Sequence, residues 1–147
     1  MIEYRTPTPE ERDTFLEWMR EHMADTIDAV MAFMDLTWEG FSELFGTVGE
    51  VRAIYDGDTL AGLLWIEHRE RVLHIHGIIL RPEFRGRGIG TGILESLENE
   101  FAGEVDVLEL GVRTSNEGAI RFYKRVGFEI AKPIEKIGFL VLCKPLA

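Results

Sequence analysis

The stretch LRPEFRGRGIGTGILESL, residues 80–97, decides the fold of this chain. An apolar run over residues 73–80 leads into it, and Pro82 opens a turn. Beyond the glycines, apolar residues recur at intervals of three and four, the spacing of one helix face; they are Ile89, Ile93, Leu94, Leu97 and Phe101. The pattern predicts a strand, a glycine-rich loop and a helix in direct succession.

The predicted loop is suited to binding an anion. The first turn of a helix has free N–H groups, and the helix dipole places partial positive charge there. Gly86, Gly88 and Gly90 remove the side chains that would keep a phosphate from the backbone, and Arg85 and Arg87 add positive charge. The stretch therefore predicts a bound phosphate or pyrophosphate.

Two well-known phosphate loops do not fit this spacing. A Walker A loop needs lysine near its end, but the loop contains none, and Thr91 stands where its second glycine would be. A dinucleotide fingerprint needs a third glycine at position 91 or 93, and these positions hold Thr91 and Ile93. Both readings are excluded.

A third pattern, Q/R-x-x-G-x-G/A after an apolar strand, is met by Arg85, Gly88 and Gly90. A second segment, NEGAIRFYKRVGF over residues 116–128, resembles the pattern N-x-x-A-x-x-x-Y-x-x-x-G-F. Together, in this order, the two motifs resemble those of the GCN5-related N-acetyltransferase (GNAT) family. The resemblance is good from about Leu60 onward and loose in the first third of the chain.

Composition limits the class of protein. With 147 residues, 46% hydrophobic and 29% charged, the chain is expected to form one domain over residues 1–147. We find neither a membrane-spanning apolar run nor a leader pattern, so we expect a cytoplasmic protein. The net charge of −10 argues against nucleic-acid binding, because there is no cation surplus to displace counterions from phosphate.

The single cysteine, Cys143, cannot form an internal disulfide. It stands among Leu140, Val141 and Leu142 in a predicted strand, which favours a packed thiol over a nucleophile. We assign no metal ligands.

Periodicity and turn residues predict the other elements. Thr8 and Glu11 form a capping box for a helix that begins at Pro9, and two more helical stretches follow before Gly46. We predict strands over residues 2–5, 50–55, 60–69, 72–80, 105–112, 128–131 and 137–144, helices over 88–103 and 116–126, and a turn over 133–136. The fold class is α/β. The resemblance implies a mixed, mostly antiparallel central sheet with one splayed parallel strand pair and helices on both faces.

The first third of the chain is rich in methionine and aromatic residues. For most of them we expect core positions, because soft side chains fill irregular gaps well. The resemblance implies that this region forms one wall of an acceptor site. Trp38, Phe41 and Phe45 are the candidates for that wall, and the sequence does not choose among them.

The resemblance implies acetyl-CoA as the acyl donor. Backbone N–H groups of the loop would hold its pyrophosphate, at Arg85, Gly86, Arg87, Gly88, Ile89, Gly90 and Thr91. The backbone of Ile78, Ile79 and Leu80 would pair with the pantetheine arm. Asn116, Ala119 and Tyr123 match the family's cofactor-contacting helix, and Asn116 is also suited to cap it.

Tyr123 matches the tyrosine that protonates the departing thiolate in many family members; the alternative is a tyrosine that anchors its helix on the sheet. Where family members often place a glutamate base, this chain has His74 and His76. Alternation puts both rings on one face of the strand, and an imidazole with a pKa of about 6.5 is a competent base. Either histidine could instead face solvent or pair with a carboxylate, and Glu67, Glu109 or a water chain stay open as bases.

The resemblance implies transfer of an acetyl group from acetyl-CoA to a primary amine. We expect direct attack, because no serine or cysteine has a convincing nucleophile setting. The amine is not identified. A non-catalytic acyl-CoA sensor and an interaction module that uses the methionine and aromatic surface are the alternatives. Dimerisation, common in the family, is left open.

Overall fold

The structure, a computed structural model, describes residues 1–146. It contains a sheet of seven strands in the order β1-β2-β3-β4-β5-β7-β6. The strands are β1 (Ile2–Arg5), β2 (Glu50–Asp56), β3 (Thr59–Arg69), β4 (Val72–Leu80), β5 (Val107–Arg113), β6 (Glu129–Ile134) and β7 (Phe139–Pro145). The helices are α1 (Pro9–His22), α2 (Ala24–Met34), α3 (Trp38–Thr47), α4 (Ile89–Glu100) and α5 (Glu117–Arg125).

The β4–β5 pair is parallel and the other neighbouring strands run antiparallel, which confirms the predicted fold class. The predicted capping box of α1 is also present. The Thr8 hydroxyl accepts from the Glu11 N–H at 3.1 Å, and the Thr8 N–H donates to the Glu11 carboxylate at 2.9 Å.

The predicted turn over residues 133–136 begins two residues too early. Strand β6 continues through Pro133 to Ile134, and a short 3₁₀ turn over Glu135–Ile137 follows. Proline is tolerated there because β6 is the last strand of the sheet, so one of its edges needs no hydrogen-bond donor. The boundaries of α4 and β5 also differ from the prediction: α4 ends at Glu100, and β5 begins at Val107.

Two hydrophobic clusters pack on the sheet. One joins it to α4, with Ile93, Leu94 and Leu97 fully buried. The other joins it to α1, α2 and α3, with Phe15 and Phe45 among its members. The expectation that most aromatic and methionine residues of the first third are core residues fits Met19, Phe41 and Phe45, which are buried, whereas Phe33 and Met34 are exposed. The partly buried members that pack against the second cluster are Trp18, Met23, Met31 and Trp38.

A β-bulge and the end of a strand pairing coincide on β4. On one side, β3 pairs Trp65 with Gly77 and Ile66 with Ile75, so His76 is an extra residue without a partner. On the other side, pairing with β5 stops at Ile75 and Leu110. Beyond this point β4 and β5 separate, and one edge of β4 has no neighbouring strand within the described part of the chain.

None of the helices formed by residues 1–146 is both long and apolar enough to cross a membrane.

Gly62 lies where β2, β3 and β4 meet, opposite Ile54 and Leu80. A Cβ atom there would overlap the carbonyl oxygen of Ile79. We expect Gly62→Ala to lower the free energy of unfolding by about 1–3 kcal/mol, because two packed strands must move apart. The matched control is Gly46→Ala in α3, where a Cβ meets nothing within 4 Å and the loss of glycine's freedom stabilises by about 0.5–1 kcal/mol. Urea unfolding measures both; equal effects would contradict the close approach.

Candidate functional site

A cleft of about 550 Å³ opens where β4 and β5 separate. Both strands line it, and α2 and α5 border it. The predicted site residues found in its lining are His74, His76, Ile78, Ile79, Leu80, Arg85, Asn116, Ala119 and Tyr123. The loss of strand pairing thus brings together residues that are distant in sequence.

A groove of about 480 Å³ lies beside the glycine loop. The predicted residues in its lining are Ile78, Leu80, Arg85, Gly86, Gly88, Ile89, Gly90, Thr91 and Tyr123. Gly86 and Gly88 have φ values of +72° and +78°, which favour glycine, and a Cβ atom on either would point into open space. The loop therefore presents bare backbone to the groove.

The start of α4 leaves its donors free. Its first internal hydrogen bond runs from Gly92 N–H to Gly88 O at 3.0 Å, so the N–H groups of Ile89, Gly90 and Thr91 precede the helical ladder. Within the described residues, no side chain caps this end of α4 and its first turn has no acidic residue. In contrast, α1, α3 and α5 each have a side-chain cap and an acidic residue in the first turn. This end can accept an anionic ligand.

The two loop arginines face different ways. Arg85 Nε donates to the carbonyl oxygen of Leu80 at 3.0 Å, which ties the loop to the end of β4 beside the groove. The Arg87 guanidinium lies 5.5 Å from the ring centre of Phe84, and it borders a separate depression on the far side of α4. Arg125, which we did not predict, lines the groove instead. Helical spacing from Phe122 to Arg125 is the signal that could have identified it.

Tyr123 lies where the groove and the cleft meet, because it lines both. Its ring packs against Phe122 and Phe128 at centroid distances of 5.2 and 5.4 Å. Burial raises the pKa of the Tyr123 hydroxyl, so this group is protonated at neutral pH. Asn116 caps α5 by accepting from the Ala119 N–H at 3.2 Å, and both residues border the cleft.

Each strand histidine pairs with a carboxylate, which was one of the alternatives left open by the sequence. His74 Nδ1 lies 2.7 Å from Glu109 Oε1, and His76 Nε2 lies 2.8 Å from Glu67 Oε1. The two imidazole rings are 4.6 Å apart on one face of β4, and His76 stacks on Trp65 at 4.5 Å. The row of polar side chains therefore runs from Glu109 through His74 and His76 to Glu67.

The carboxylates determine which ring nitrogens are free. An ionised carboxylate only accepts, so the proton of neutral His76 sits on Nε2 and that of neutral His74 on Nδ1. His76 Nδ1 and His74 Nε2 are then proton acceptors. Burial lowers the pKa of His76 to about 4 and also lowers the pKa of His74. The Arg69 guanidinium, at 2.8 Å, and then His76 lower the pKa of Glu67 to about 2.

A second cavity, of about 340 Å³, adjoins the cleft; we refer to it as the apolar chamber. Its lining consists of Met19, Met23, Thr26, Ile27, Val30, Met34, Phe41, Leu44, Val48, Trp65, Glu67, Arg69 and His76. Of the three aromatic candidates, Phe41 lies in this lining. Trp38 stacks on Phe41 at 5.7 Å, and Phe45 packs edge-on against Trp65 at 5.1 Å.

The sequence is similar both to the model of a protein family and to individual known proteins. The model of the Acetyltransferase (GNAT) family matches residues 8–128. An uncharacterized N-acetyltransferase of Methanocaldococcus jannaschii is 46% identical over 68 residues, 44% of this chain and 30% of that protein. The N-alpha-acetyltransferase RimI of Mycobacterium tuberculosis is 38% identical over 77 residues, 50% of this chain and 48% of that protein. The chain therefore matches less than half the length of either relative.

Among solved structures, a GNAT family acetyltransferase from Elizabethkingia anophelis with acetyl-CoA bound has a TM-score of 0.69 with this chain. The alignment covers 99% of this chain and 97% of that one at 18% identity. At such low identity the likeness shows the fold.

The lowered pKa of His76 couples stability to pH. The folded state disfavours the charged ring, so this contribution is present above about pH 6.5, the ordinary histidine pKa, and is lost as pH falls toward about 4. Between pH 7 and pH 5, we expect the fall in the free energy of unfolding to be about 1–2 kcal/mol smaller for His76→Gln than for the unaltered chain. The control is His68→Gln, at an exposed position of β3. Urea unfolding at both pH values measures this, and equal losses in all three proteins would contradict it.

Proposed function

We propose that this chain, which belongs to the acetyltransferase (GNAT) family, transfers an acetyl group from acetyl-CoA to a primary amine by direct attack. One observation carries the proposal. The uncapped start of α4 borders a groove that continues into the β4–β5 cleft, and Tyr123 stands where the two meet. The end of α4 that we propose to bind phosphate and the cleft that we propose to hold the reacting groups thus meet at Tyr123, the proposed proton donor.

The residues present fit the donor. Acetyl-CoA supplies an activated thioester carbonyl on a long arm that begins at a pyrophosphate. The N–H groups of Ile89, Gly90 and Thr91 would bind the pyrophosphate, with Arg85 and Arg125 beside it. The edge of β4 over residues 76–80, which has no β5 partner, would pair with the amides of the arm, as a free strand edge does. The relative with acetyl-CoA bound shares this fold.

Tyr123 is the proposed proton donor. When the carbon–sulfur bond breaks, the departing thiolate needs a proton, and a tyrosine with a raised pKa keeps its proton until a strong base is near. Its place at the junction of groove and cleft supports this role. Tyr123 can also anchor its helix, which was the alternative role, because its ring packs on Phe128.

His76 is the proposed proton acceptor, with His74 as the second candidate. His76 borders both the cleft and the apolar chamber, whereas His74 borders the cleft. A pKa of about 4 leaves His76 Nδ1 unprotonated at neutral pH, but it also makes His76 a weaker base than the imidazole with a pKa of about 6.5 that the sequence led us to expect. The Glu67 carboxylate at 2.8 Å stabilises the imidazolium that forms when the amine loses its proton.

Direct attack is supported by the position of the cysteine. Cys143 lies half-buried in β7 and is outside the linings of the groove, the cleft and the chamber. Burial raises the pKa of its thiol, which leaves little of the nucleophilic thiolate.

Donor binding is tested by thermal unfolding. At about 100 times Kd, acetyl-CoA should stabilise by about 2.7 kcal/mol and raise Tm by roughly 5–10 °C, while NADH and ATP should not. Gly86→Asp places a carboxylate beside the groove and should abolish the shift. The matched control is Gly57→Asp in the β2–β3 turn, another positive-φ glycine whose Cβ would meet nothing within 4 Å. A shift that survives Gly86→Asp would contradict the assignment of the groove.

Proton donation is tested by Tyr123→Phe. We expect kcat, followed as thiol release, to fall by about 10²–10⁴ while the thermal shift with acetyl-CoA is retained, because only the hydroxyl is lost. Tyr55→Phe on β2, a residue outside the cleft lining, is the control. An unchanged kcat would show that the thiolate is protonated by another group. Tight donor binding without turnover on any amine would instead indicate an acyl-CoA sensor.

A further inference from the structure

The apolar chamber has few polar groups for its size. Of its lining residues, nine are apolar, and Thr26, Glu67, Arg69 and His76 are the polar ones. The indole N–H of Trp65 already donates to the carbonyl oxygen of Val48 at 2.8 Å. The wall that remains is hydrocarbon and thioether, suited to an apolar ligand of small to moderate size.

The charges in the chamber lining cancel. The Glu67 carboxylate lies 2.8 Å from both Arg69 Nη2 and His76 Nε2, and no second carboxylate lines the cavity. A polyamine would bring several ammonium groups, each of which would lose water without gaining an anionic partner. An amino sugar would bring several hydroxyl groups, which would lose water against a mostly apolar wall. A ligand with one amino group and an apolar body avoids both costs.

The chamber and the cleft share a wall. Met23, Thr26, Val30, Met34 and His76 line both cavities. A ligand whose carbon body fills the chamber can therefore place its nitrogen at His76, on the boundary with the cleft where the thioester would lie. The apolar surroundings also lower the pKa of a bound amine, which favours the neutral form that can attack a carbonyl.

The mouth of this space is apolar as well. Phe33 and Met34, at the end of α2, are 57% and 51% exposed, and both line the cleft. Methionine side chains adapt to differently shaped ligands. Three of them, Met19, Met23 and Met34, lie in the chamber wall.

We propose that the acceptor is a monoamine carried on an apolar chain or ring, with its carbon body in the apolar chamber and its nitrogen at His76. This inference rests on the proposed function. In the reaction the amine nitrogen forms a bond to the thioester carbonyl carbon and gives up one proton to His76. The carbon–sulfur bond breaks, and the sulfur takes a proton from Tyr123. The products are the N-acetylamine and free coenzyme A.

A homologous series tests the inference. The substrates are n-alkylamines from ethylamine to hexylamine, with 2-phenylethylamine, spermidine and glucosamine for comparison, and thiol release from acetyl-CoA is the readout. We expect kcat/KM to rise about fourfold for each methylene, the equivalent of about 0.8 kcal/mol per buried CH₂. Hexylamine and 2-phenylethylamine should exceed both polycationic and sugar amines.

Two variants on α2 locate the effect. Met34→Gln keeps the length of the side chain at the mouth and removes its apolar character, and it should lower kcat/KM for hexylamine roughly three- to tenfold, mainly through KM. Ala32→Gln is the matched control, since Ala32 is exposed on the same helix and lines neither cavity. Because both sites are exposed, both variants should fold normally.

The outcomes separate this inference from the proposed function. A flat alkyl series, a preference for spermidine or glucosamine, or equal effects of Met34→Gln and Ala32→Gln would overturn the apolar acceptor while leaving acetyl transfer intact. Absence of thiol release with every amine, in a protein that binds acetyl-CoA, would overturn the proposed function and this inference with it.

Discussion

The site depends on one interruption of backbone pairing. β4 and β5 are hydrogen-bonded as far as Ile75 and Leu110 and then separate, while β4 keeps its pairing with β3. A strand edge left open inside a sheet exposes amide and carbonyl groups that need partners. The cleft formed there is bordered by α2 and α5, and it meets the groove at the start of α4.

The bulge at His76 decides which side chains face each cavity. Before it, Leu73 and Ile75 pack in the cluster beneath α4, and after it Ile79 packs in the cluster of α1, α2 and α3. One inserted residue thus reverses the alternation of β4. His76 lies at this reversal and lines both the cleft and the apolar chamber.

The parts predicted from sequence are those that local chemistry determines. The glycine loop, the capping box at Thr8 and the helix after Gly88 follow from backbone conformation and periodicity within a few residues. Other parts of the structure depend on contacts between residues that are distant in sequence. Pro133 is compatible with a strand only because β6 lies at the sheet edge. The sequence likewise does not choose among Trp38, Phe41 and Phe45, because the packing of α3 on Trp65 decides which ring reaches a cavity.

The two cavities draw on separate stretches of the chain. The groove is built from residues 78–125, whereas most of the chamber wall comes from residues 19–48, with His76 among the residues that link the chamber to the cleft. Substitutions in the first third can therefore reshape one cavity without disturbing the other. This separation has an evolutionary consequence: a lineage that retains the glycine loop can change the shape of the chamber by drift in three short helices.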